Sequence, residues 1–224
     1  MAILKLGVDD SGRGPVIGPM ILAGCLIDEN TEEQLKKLGV KDSKQLTQKR
    51  REYLARIIRE KAISYKIFKV IPERIDQYKE KGLKLNELEA EMAARIINEI
   101  NDGKNKILVA LDCPSTTRSN WRDYLITKIK HLQNLEIYCD HKAESKYISV
   151  AAASVLAKCA REREMQKIRE KYGDEAGSGY SSDPLTQKFL LKYAEKYKEH
   201  GIFRKSWETY KKAMGTIGQR TLNL

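Results

Sequence analysis

Two aspartates of this chain directly follow apolar runs, a position at which a carboxylate can take part in chemistry. Asp9 comes after the run ILKLGV, and Asp112 comes after ILVAL. Either residue alone could simply form a turn at the end of a strand, but two such sites in one chain favour a shared metal ion. Carboxylate oxygens select Mg²⁺ or Mn²⁺, and two such ions roughly 3.5 to 4 Å apart stabilise both the attacking and the leaving oxygen of a phosphodiester. The pair therefore predicts a metal site that is suited to phosphodiester hydrolysis.

The charge of the chain agrees with a polyanionic partner. Lys and Arg number 42 against 31 Asp and Glu, which gives a formal net charge of +11. Nucleic acid is the first candidate for such a partner. A Lys- and Glu-rich surface selected for solubility or for life at high temperature is the alternative explanation. In so basic a chain, a compact group of carboxylates would repel one another unless cations were bound between them.

Helical and extended patterns alternate along most of the chain. Apolar runs bounded by turn residues predict strands over residues 3–8, 20–27, 62–70, 107–111 and 135–139. Amphipathic patterns predict helices over residues 31–38, 47–61, 86–100 and 121–132, and a long helix that begins near 147. The helix over 86–100 has one apolar stripe, formed by Leu88, Met92, Ile96 and Ile100. The alternation predicts an α/β sheet flanked by helices, and ligands gather at the strand ends of such sheets.

The pattern after Tyr180 is wholly helical. Asp183 and Pro184 are typical N-cap and first-turn residues of a helix that should run to about residue 198, and a further helix is predicted over 207–214. We therefore expect an α/β catalytic domain over residues 1–182 and a small C-terminal helical lobe over 183–214 that packs on it. Residues 215–224 should form a tail.

The cysteines and the N-terminus bear on the location of the protein. The cysteines lie far apart in the sequence and form no CxxC pair; they are Cys25, Cys113, Cys139 and Cys159. They predict neither a zinc site nor a disulfide framework, and a reducing cytoplasm is the simplest location. Residues 1–6 lack the apolar region of a signal peptide, and no apolar run approaches the roughly 18 residues of a membrane span. We expect a soluble cytoplasmic protein with no membrane partner.

Five sequence blocks resemble, in order and spacing, those of one known family: GVDDSGRGPVIGPM, VKDSKQLT, LDCPST, HKAESKY followed by VAAASVLAK, and GSGYSSDPLT. The family is the type 2 ribonuclease H, or ribonuclease HII, family, and the block GSGYSSDP is similar to its archaeal members. The blocks extend over residues 7–207, so the resemblance covers nearly the whole chain. It implies a ribonuclease H-like mixed sheet flanked by helices, with a small helical C-terminal lobe.

The resemblance also implies an activity. Members of the family are endonucleases that hydrolyse the RNA strand of RNA/DNA hybrids and cut on the 5′ side of ribonucleotides embedded in duplex DNA, in DNA replication and repair. The cut is assisted by Mg²⁺ or Mn²⁺, with about two ions per site, and leaves 5′-phosphate and 3′-hydroxyl ends. Two other hypotheses stay open. One is a hybrid-binding protein whose altered acids have weakened catalysis, and the other is a different nuclease of the same sheet type, such as a junction resolvase.

The family's catalytic, metal-binding carboxylates run Asp, Glu, Asp, Asp, and the resemblance places them at Asp9, Asp10, Asp112 and Glu144. Asp10 stands where the family usually has Glu, and Glu144 stands where it usually has Asp. One side chain is shortened and the other lengthened by about 1.5 Å, which changes the reach of both carboxylates. Asp9 and Asp10 share a site only if the backbone turns at the end of the strand, since adjacent strand residues point to opposite faces, and the glycines that follow favour such a turn. Asp140 is either an alternative fourth ligand or a plain strand-end residue.

Six further residues match positions that contact substrate in the family: Gly12, Arg13, Gly14, Lys44, Lys146 and Tyr180. The resemblance implies that the GRG loop over residues 12–14 contacts the neighbouring phosphate and the ribose 2′-hydroxyl, the group that distinguishes RNA from DNA. It also implies that Tyr180 stacks on the sugar after the ribonucleotide and that Lys44 and Lys146 contact phosphates. Without the family, the loop would be interpreted as a simple turn, the tyrosine as a core or turn residue and the lysines as solvated surface charges.

Three features allow two explanations each. Arg161 follows the AAASVLAK segment and either pairs with the acids of the site or forms a structural salt bridge. His141 either shuttles a proton or fills a strand-end position. Residues 219–224 begin like the Q-x-x-L clamp-binding peptide of some archaeal relatives but lack its aromatic pair, so a sliding clamp is a candidate partner unless the likeness is accidental. We expect the protein itself to be a monomer.

Overall fold

The computed structural model describes residues 3–40 and 46–222, and for residues 219–222 it describes the backbone alone. The chain divides into two compact units. The first unit consists of Met1–Ser11, Ile21–Phe68 and Asn86–Ala160, and the second consists of Gly12–Met20, Lys69–Leu85 and Arg161–Leu224. Each unit therefore combines segments that are distant in the sequence.

A mixed sheet forms the basis of the first unit. Its strands in the described residues are β1 (Leu4–Ser11), β2 (Met20–Ile27), β3 (Ser64–Val70), β4 (Ile107–Asp112) and β5 (Leu135–Asp140), in the spatial order β3-β2-β1-β4-β5. β2 runs antiparallel to β1, whereas β1, β4 and β5 are parallel to one another. Val8 pairs with Leu111, and Asp112 pairs with Asp140. The carboxyl ends of the three parallel strands therefore lie at the same edge of the sheet.

The helices of the described residues are α1 (Glu29–Lys37), α2 (Gln48–Lys61), α3 (Pro72–Glu80), α4 (Leu85–Ile100), α5 (Arg118–Ile126), α6 (Ile148–Tyr172), α7 (Pro184–Tyr193) and α8 (Glu208–Leu222). Short 3-10 helices cover Ala143–Ser145 and Asp174–Ala176. Asp183 caps α7 as predicted, because its carboxylate accepts a hydrogen bond from the Leu185 N–H at 3.0 Å. Across the described residues, every helix falls short of the length or the apolar character that a membrane span requires.

Glycine allows a close approach between β1 and α6 in the first unit. A Cβ added at Gly7 would lie 2.1 Å from the backbone nitrogen of Val150, so no larger residue fits at this position. The helix contributes a run of buried small residues at the same point, which are Ala151, Ala152 and Ala153. The backbone of α6 therefore lies directly against the strand that carries Asp9.

The apolar stripe predicted for α4 is only part of its buried face. Leu88 and Ile96 are buried, but Met92 and Ile100 are half-buried. The face is completed by Ala90, Ala93, Ala94 and Ile97. The helix can lie close to the sheet because three of these residues are small, and a Cβ at Gly24 of β2 would lie 2.2 Å from Ile96.

The second unit has an apolar core of its own. Its buried members come from the segment after β1, from the C-terminal part of α6 and from α7 and α8, and they include Val16, Ile17, Met165, Phe189, Leu190, Phe203 and Tyr210. A buried carboxylate also organises this unit, because Asp76 of α3 accepts hydrogen bonds from the N–H groups of Lys205 (2.8 Å) and Ser206 (3.0 Å).

The mixed sheet with flanking helices confirms the predicted fold class, and the differences lie in the helices and boundaries. The sequence pattern does not predict α3, because the short run PERIDQYKE has too few apolar residues for a clear stripe. α7 ends at Tyr193, whereas α8 continues to Leu222 through residues expected to form a tail. Packing of Met214 and Ile217 on the core of the second unit accounts for the longer α8. The expected boundary at residues 182 and 183 does not coincide with the division into units.

Candidate active site

Asp9 lies near the sheet edge where the parallel strands end, and it is only 8 % exposed. Its carboxylate accepts hydrogen bonds from the N–H of Asp10, at 2.8 Å, and from the hydroxyl of Ser154 on α6. Residues two apart in a strand share a face, so Gly7 and Asp9 both face α6. The glycine therefore lets the helix come close enough for Ser154 to reach the carboxylate.

The carboxylate of Asp9 is held in an unfavourable environment for a negative charge. Burial, together with the negative charges of Asp10 and Asp112, raises the pKa of Asp9 from its ordinary value of 3.8 to about 8. The hydrogen bonds from Ser154 and from the Asp10 N–H oppose this rise without cancelling it. The structure therefore brings Asp10 and Asp112 each close enough to Asp9 to repel its charge. A bound cation would favour the ionised form of each of them.

A tight turn after β5 connects Asp112 with the fourth expected carboxylate. Lys142 adopts a left-handed backbone conformation with a φ of 55°, which is uncommon for a residue other than glycine. The N–H of the next residue, Ala143, donates to Asp112 Oδ1 at 2.9 Å. Glu144 follows directly in the 3-10 helix and is 8 % exposed. The turn therefore ties the segment of Glu144 to Asp112.

Asp10 does not share a strand face with Asp9. β1 continues through Asp10, which pairs with Leu22, and ends at Ser11. The turn predicted for the glycine- and proline-rich segment at the strand end therefore follows Ser11, because antiparallel pairing with β2 keeps Asp9 and Asp10 in an extended strand. Adjacent strand side chains point to opposite faces, and the effect of Asp10 on the pKa of Asp9 shows that the two charges are nevertheless close.

The donor set fits a hard divalent cation, although the side chains do not enclose one. In residues 3–40 and 46–222, no three His, Cys, Asp or Glu side chains converge on a point where they could hold one metal ion. Mg²⁺ does not need such an enclosure, since it usually keeps several waters and binds through one or two carboxylates together with substrate phosphates. Asp9 and Asp112 suit this mode, because each has one carboxylate oxygen fixed by a backbone N–H.

Asp140, the alternative fourth ligand, pairs with Asp112 in the sheet but interacts with cationic side chains. Its Oδ1 lies 3.1 Å from a guanidinium nitrogen of Arg118, and its Oδ2 lies 3.2 Å from both Lys146 Nζ and the Tyr147 hydroxyl. Although burial opposes the effect, these hydrogen bonds and charges lower the pKa of Asp140. The contacts favour a strand-end role for Asp140, and they place Lys146, an expected phosphate contact, beside a carboxylate.

Arg161 contacts two of the expected substrate-binding elements within the second unit. Gly12 has a φ of 83°, and a Cβ there would lie 2.4 Å from Cδ and Nε of Arg161. The guanidinium carbon of Arg161 lies 4.9 Å from the ring centroid of Tyr180, which is 40 % exposed, and the group donates to the Ser178 carbonyl at 2.9 Å. Whether Arg161 also pairs with the acids of the site or forms a structural salt bridge stays a prediction.

The GRG loop of the second unit is held from its carbonyl side. Arg204 donates to the carbonyl oxygens of Gly12 (2.5 Å) and Arg13 (2.6 Å). The indole N–H of Trp207 donates to the carbonyl oxygen of Gly14 at 3.1 Å. Neither donor is among the residues that the sequence singles out for the site, and both come from the segment before α8.

The remaining predictions concern His141, Lys44 and the segment 219–224. His141 Nδ1 lies 3.0 Å from the Cys113 carbonyl oxygen, a contact that favours a structural position at the strand end. Lys44 lies outside the described residues, as do the side chains of residues 219–224. The expected phosphate contact of Lys44 and the clamp-binding hypothesis therefore stay predictions.

Two buried polar residues near the carboxylates are missed by sequence reasoning. Ser154 stands inside the apolar run AAASVLAK, where a single polar residue was a signal that its hydroxyl has a partner. Glu89 of α4 is only 3 % exposed, and burial together with its charge raises the pKa of Cys113, the residue after Asp112. A helical wheel centred on Ala93 and Ile97 would have placed this glutamate on the buried face.

Known proteins resemble this chain over most of its length. A sequence model of the family described as ribonuclease HII matches residues 6–210. The ribonuclease HII of Thermococcus sibiricus is 42 % identical over 214 residues, which cover 93 % of this chain and 91 % of that protein. The crystal structure of ribonuclease H2 from Pyrococcus horikoshii OT3 is similar with a TM-score of 0.86 and 36 % identity, covering 97 % of this chain and 100 % of that chain. The RNase HII in the PCNA:RNase HII complex from Archaeoglobus fulgidus is similar with a TM-score of 0.79 and 38 % identity, covering 92 % of this chain and 94 % of that chain.

These similarities agree with the sequence and the fold. The relatives are archaeal, as the block GSGYSSDP indicates. The mixed sheet with flanking helices is the ribonuclease H-like fold of the Pyrococcus protein. The chain therefore belongs to the ribonuclease HII family and is a ribonuclease H, an endonuclease of the hydrolase class.

Proposed function

We propose that this ribonuclease H hydrolyses the RNA strand of RNA/DNA hybrids and cuts on the 5′ side of ribonucleotides embedded in duplex DNA. The products carry 5′-phosphate and 3′-hydroxyl ends. The observation that carries the proposal is the group of carboxylates at one sheet edge, where burial and the charges of Asp10 and Asp112 raise the pKa of Asp9 to about 8. Such a concentration of negative charge in a chain of net charge +11 suits the joint binding of cations and a polyanion.

Four carboxylates would hold the cations, which we propose to be two Mg²⁺ or Mn²⁺ ions: Asp9, Asp10, Asp112 and Glu144. When bound, such ions stabilise charge on the attacking and leaving oxygens of the phosphodiester. The chain itself orients the donors. Ser154 and the Asp10 N–H fix the carboxylate of Asp9, and the Ala143 N–H fixes that of Asp112. A bound cation would favour the ionised form of Asp9, whose proton would pass to solvent.

Selection of ribonucleotides is proposed for the second unit. The GRG loop over residues 12–14 follows Ser11 directly in the chain, and its backbone would contact the ribose 2′-hydroxyl and the adjacent phosphate. Tyr180, whose ring is exposed and stacked on Arg161, would pack on the next sugar. Lys44 and Lys146 would contact phosphates on the duplex.

The direct test is cleavage of an end-labelled DNA duplex that contains one ribonucleotide, with Mg²⁺ and then with Mn²⁺. We expect a single cut on the 5′ side of the ribonucleotide and no cut in the matched all-DNA duplex. Binding of an RNA/DNA hybrid without cleavage in either metal would support the hybrid-binding hypothesis instead. Cleavage of the all-DNA substrate would support a different nuclease of the same sheet type.

The exchanged acids at positions 10 and 144 provide a prediction about the site. Restoring the family pattern with the double substitution Asp10→Glu and Glu144→Asp should keep or raise the Mg²⁺-supported cleavage rate, by up to about tenfold, because both carboxylates regain their usual reach. Each single substitution should be slower than the double variant, since it combines two side chains of unmatched length. Single-turnover rates on the one-ribonucleotide duplex measure both effects. A double variant much slower than the wild type would show that the exchanged pair is mutually adapted.

A sliding clamp is a further candidate partner. The Archaeoglobus relative was solved as a complex with PCNA, and residues 219–222 of this chain continue α8. We propose that the protein alone is a monomer and that a clamp contacts the segment 219–224. Size-exclusion chromatography with light scattering should show a monomer, and co-elution with PCNA should be lost when residues 219–224 are deleted. Co-elution that survives the deletion would assign the contact to another surface.

A further inference from the structure

We propose that Arg204 is a positioning residue for ribonucleotide cleavage, because it holds the GRG loop so that backbone N–H groups of the loop face the substrate. Trp207 assists it at the third carbonyl of the loop. The inference rests on the proposed role of residues 12–14 in contacting the ribose and its phosphate.

The guanidinium of Arg204 is buried among carbonyl groups of the second unit. The residue is 0 % exposed, and its three nitrogens donate to the carbonyl oxygens of Gly18 (3.1 Å), Arg13 (2.6 Å) and Gly12 (2.5 Å). The backbone N–H of Arg204 donates to the Val16 carbonyl oxygen at 2.9 Å. Removing a guanidinium from water is costly unless it is well hydrogen-bonded. The burial of a charged side chain against these carbonyls therefore indicates that the backbone here must keep one conformation.

Trp207 adds a donor on the same side of the loop. Its indole N–H donates to the Gly14 carbonyl at 3.1 Å, and its ring centroid lies 5.1 Å from the guanidinium carbon of Arg204. A cation at this distance from an indole ring is stabilised by the ring electrons. The carbonyls of three consecutive residues, 12 to 14, are thus anchored by two packed side chains.

Anchoring the carbonyls fixes the direction of the N–H groups. The described residues contain no cis peptide bond, and in a planar trans peptide the C=O and the following N–H point in opposite directions. The N–H groups of Arg13 and Gly14 therefore point away from the donors of Arg204. Two successive N–H groups on one side of a loop form a concave site for phosphate or hydroxyl oxygens.

The other side of the loop is restricted as well. Gly12 has a φ of 83°, which favours glycine, and a Cβ at this position would also lie 2.4 Å from Arg161. The Cβ position of Gly14 lies 3.9 Å from the ring of Tyr180, an ordinary contact distance. Arg204 and Trp207 therefore act on a loop that packs near the proposed sugar-stacking tyrosine within the same unit.

The test compares three full-length variants on a duplex with one ribonucleotide. Arg204→Lys keeps the positive charge but loses the planar fork, and Trp207→Phe keeps a ring but loses the indole donor. We expect kcat to fall about 100-fold for Arg204→Lys and about tenfold for Trp207→Phe, with KM changed by less than about threefold, because a misplaced loop affects orientation more than binding. Mn²⁺ affinity measured by calorimetry should stay at the wild-type value in both variants.

Asp76→Asn is the matched control for a merely structural effect. Asp76 anchors the adjacent N–H groups of Lys205 and Ser206, so this variant should lower the melting temperature while kcat stays within about threefold of the wild type. Equal kcat values for the wild type, Arg204→Lys and Trp207→Phe would overturn the inference, as would an equal loss in Asp76→Asn. If Arg204→Lys does not fold, Trp207→Phe decides by itself. A wild-type protein that leaves the duplex uncut would overturn the proposed function and, with it, the role of the loop.

Discussion

Replacing Asp112 by Asn should reduce cleavage of the one-ribonucleotide duplex by at least about 1,000-fold while the protein stays folded. The amide keeps the size of the side chain and can still accept the Ala143 N–H that bonds Oδ1 at 2.9 Å. It removes one of the charges that raise the pKa of Asp9, so cation binding at this sheet edge should weaken. Single-turnover cleavage in saturating Mg²⁺, together with a thermal melt, measures both parts of the prediction.

Asp102→Asn is the control for this substitution. Asp102 is an exposed aspartate in the loop before β4, and its carboxylate accepts the Lys104 N–H at 2.9 Å. The control makes the same chemical change outside the proposed site and should cleave at the wild-type rate. Unchanged turnover in Asp112→Asn would remove this residue from the site.

Replacing Asp9 by Asn should abolish cleavage and, at the same time, stabilise the metal-free protein near neutral pH. Burial and the charges of Asp10 and Asp112 raise the folded-state pKa of Asp9 to about 8, against an ordinary value of 3.8. At a pH between these two values, the Asp9 carboxyl is protonated in the folded state and ionised in the unfolded state. The stability that Asp9 contributes is therefore complete below about pH 4 and is lost as the pH rises through about 8.

The amide of Asp9→Asn does not ionise, so the stability of this variant should not fall with rising pH in the way that Asp9 causes in the wild type. We expect the free energy of unfolding of metal-free Asp9→Asn at pH 7 to exceed that of the wild type by about 2 to 4 kcal/mol. The slope of stability against pH between about 5 and 8 should be flatter in the variant, whereas Asp102→Asn should keep the wild-type slope. Denaturant unfolding in EDTA at several pH values measures this. A wild-type stability that rises over this pH range, or equal slopes in the two proteins, would contradict the assigned environment of Asp9.

The sequence predicts the frame of the site because simple patterns specify it. The strands predicted over 107–111 and 135–139 are present, and each is one residue longer at its C-terminal end. A short continuous apolar run in an α/β chain is typical of a buried strand. The two aspartates at strand ends come together because parallel strands end at one edge, and Asp112 indeed affects the pKa of Asp9. Position 144 required the family resemblance, because no apolar run marks it.

Other features depend on contacts between distant segments, which a pattern of neighbours cannot show. Ser154 reaches Asp9 only because Gly7 admits the helix backbone, and Arg204 reaches the loop at residues 12–14 from nearly 200 positions away, as the separation of 192 in its bond to Gly12 shows. The first strand was predicted over residues 3–8, but pairing with β2 continues it to Ser11. The three added residues join the strand because they pair with residues 21–23 of β2, a long-range contact that the local sequence does not specify.

Anomalous diffraction from crystals soaked in Mn²⁺ would show whether the carboxylates at this sheet edge bind divalent cations. We expect manganese peaks within about 2.2 Å of carboxylate oxygens of Asp9 and Asp112, with Asp10 or Glu144 completing the contacts when substrate is present. Manganese bound elsewhere, with these carboxylates bare at saturating metal, would contradict this expectation.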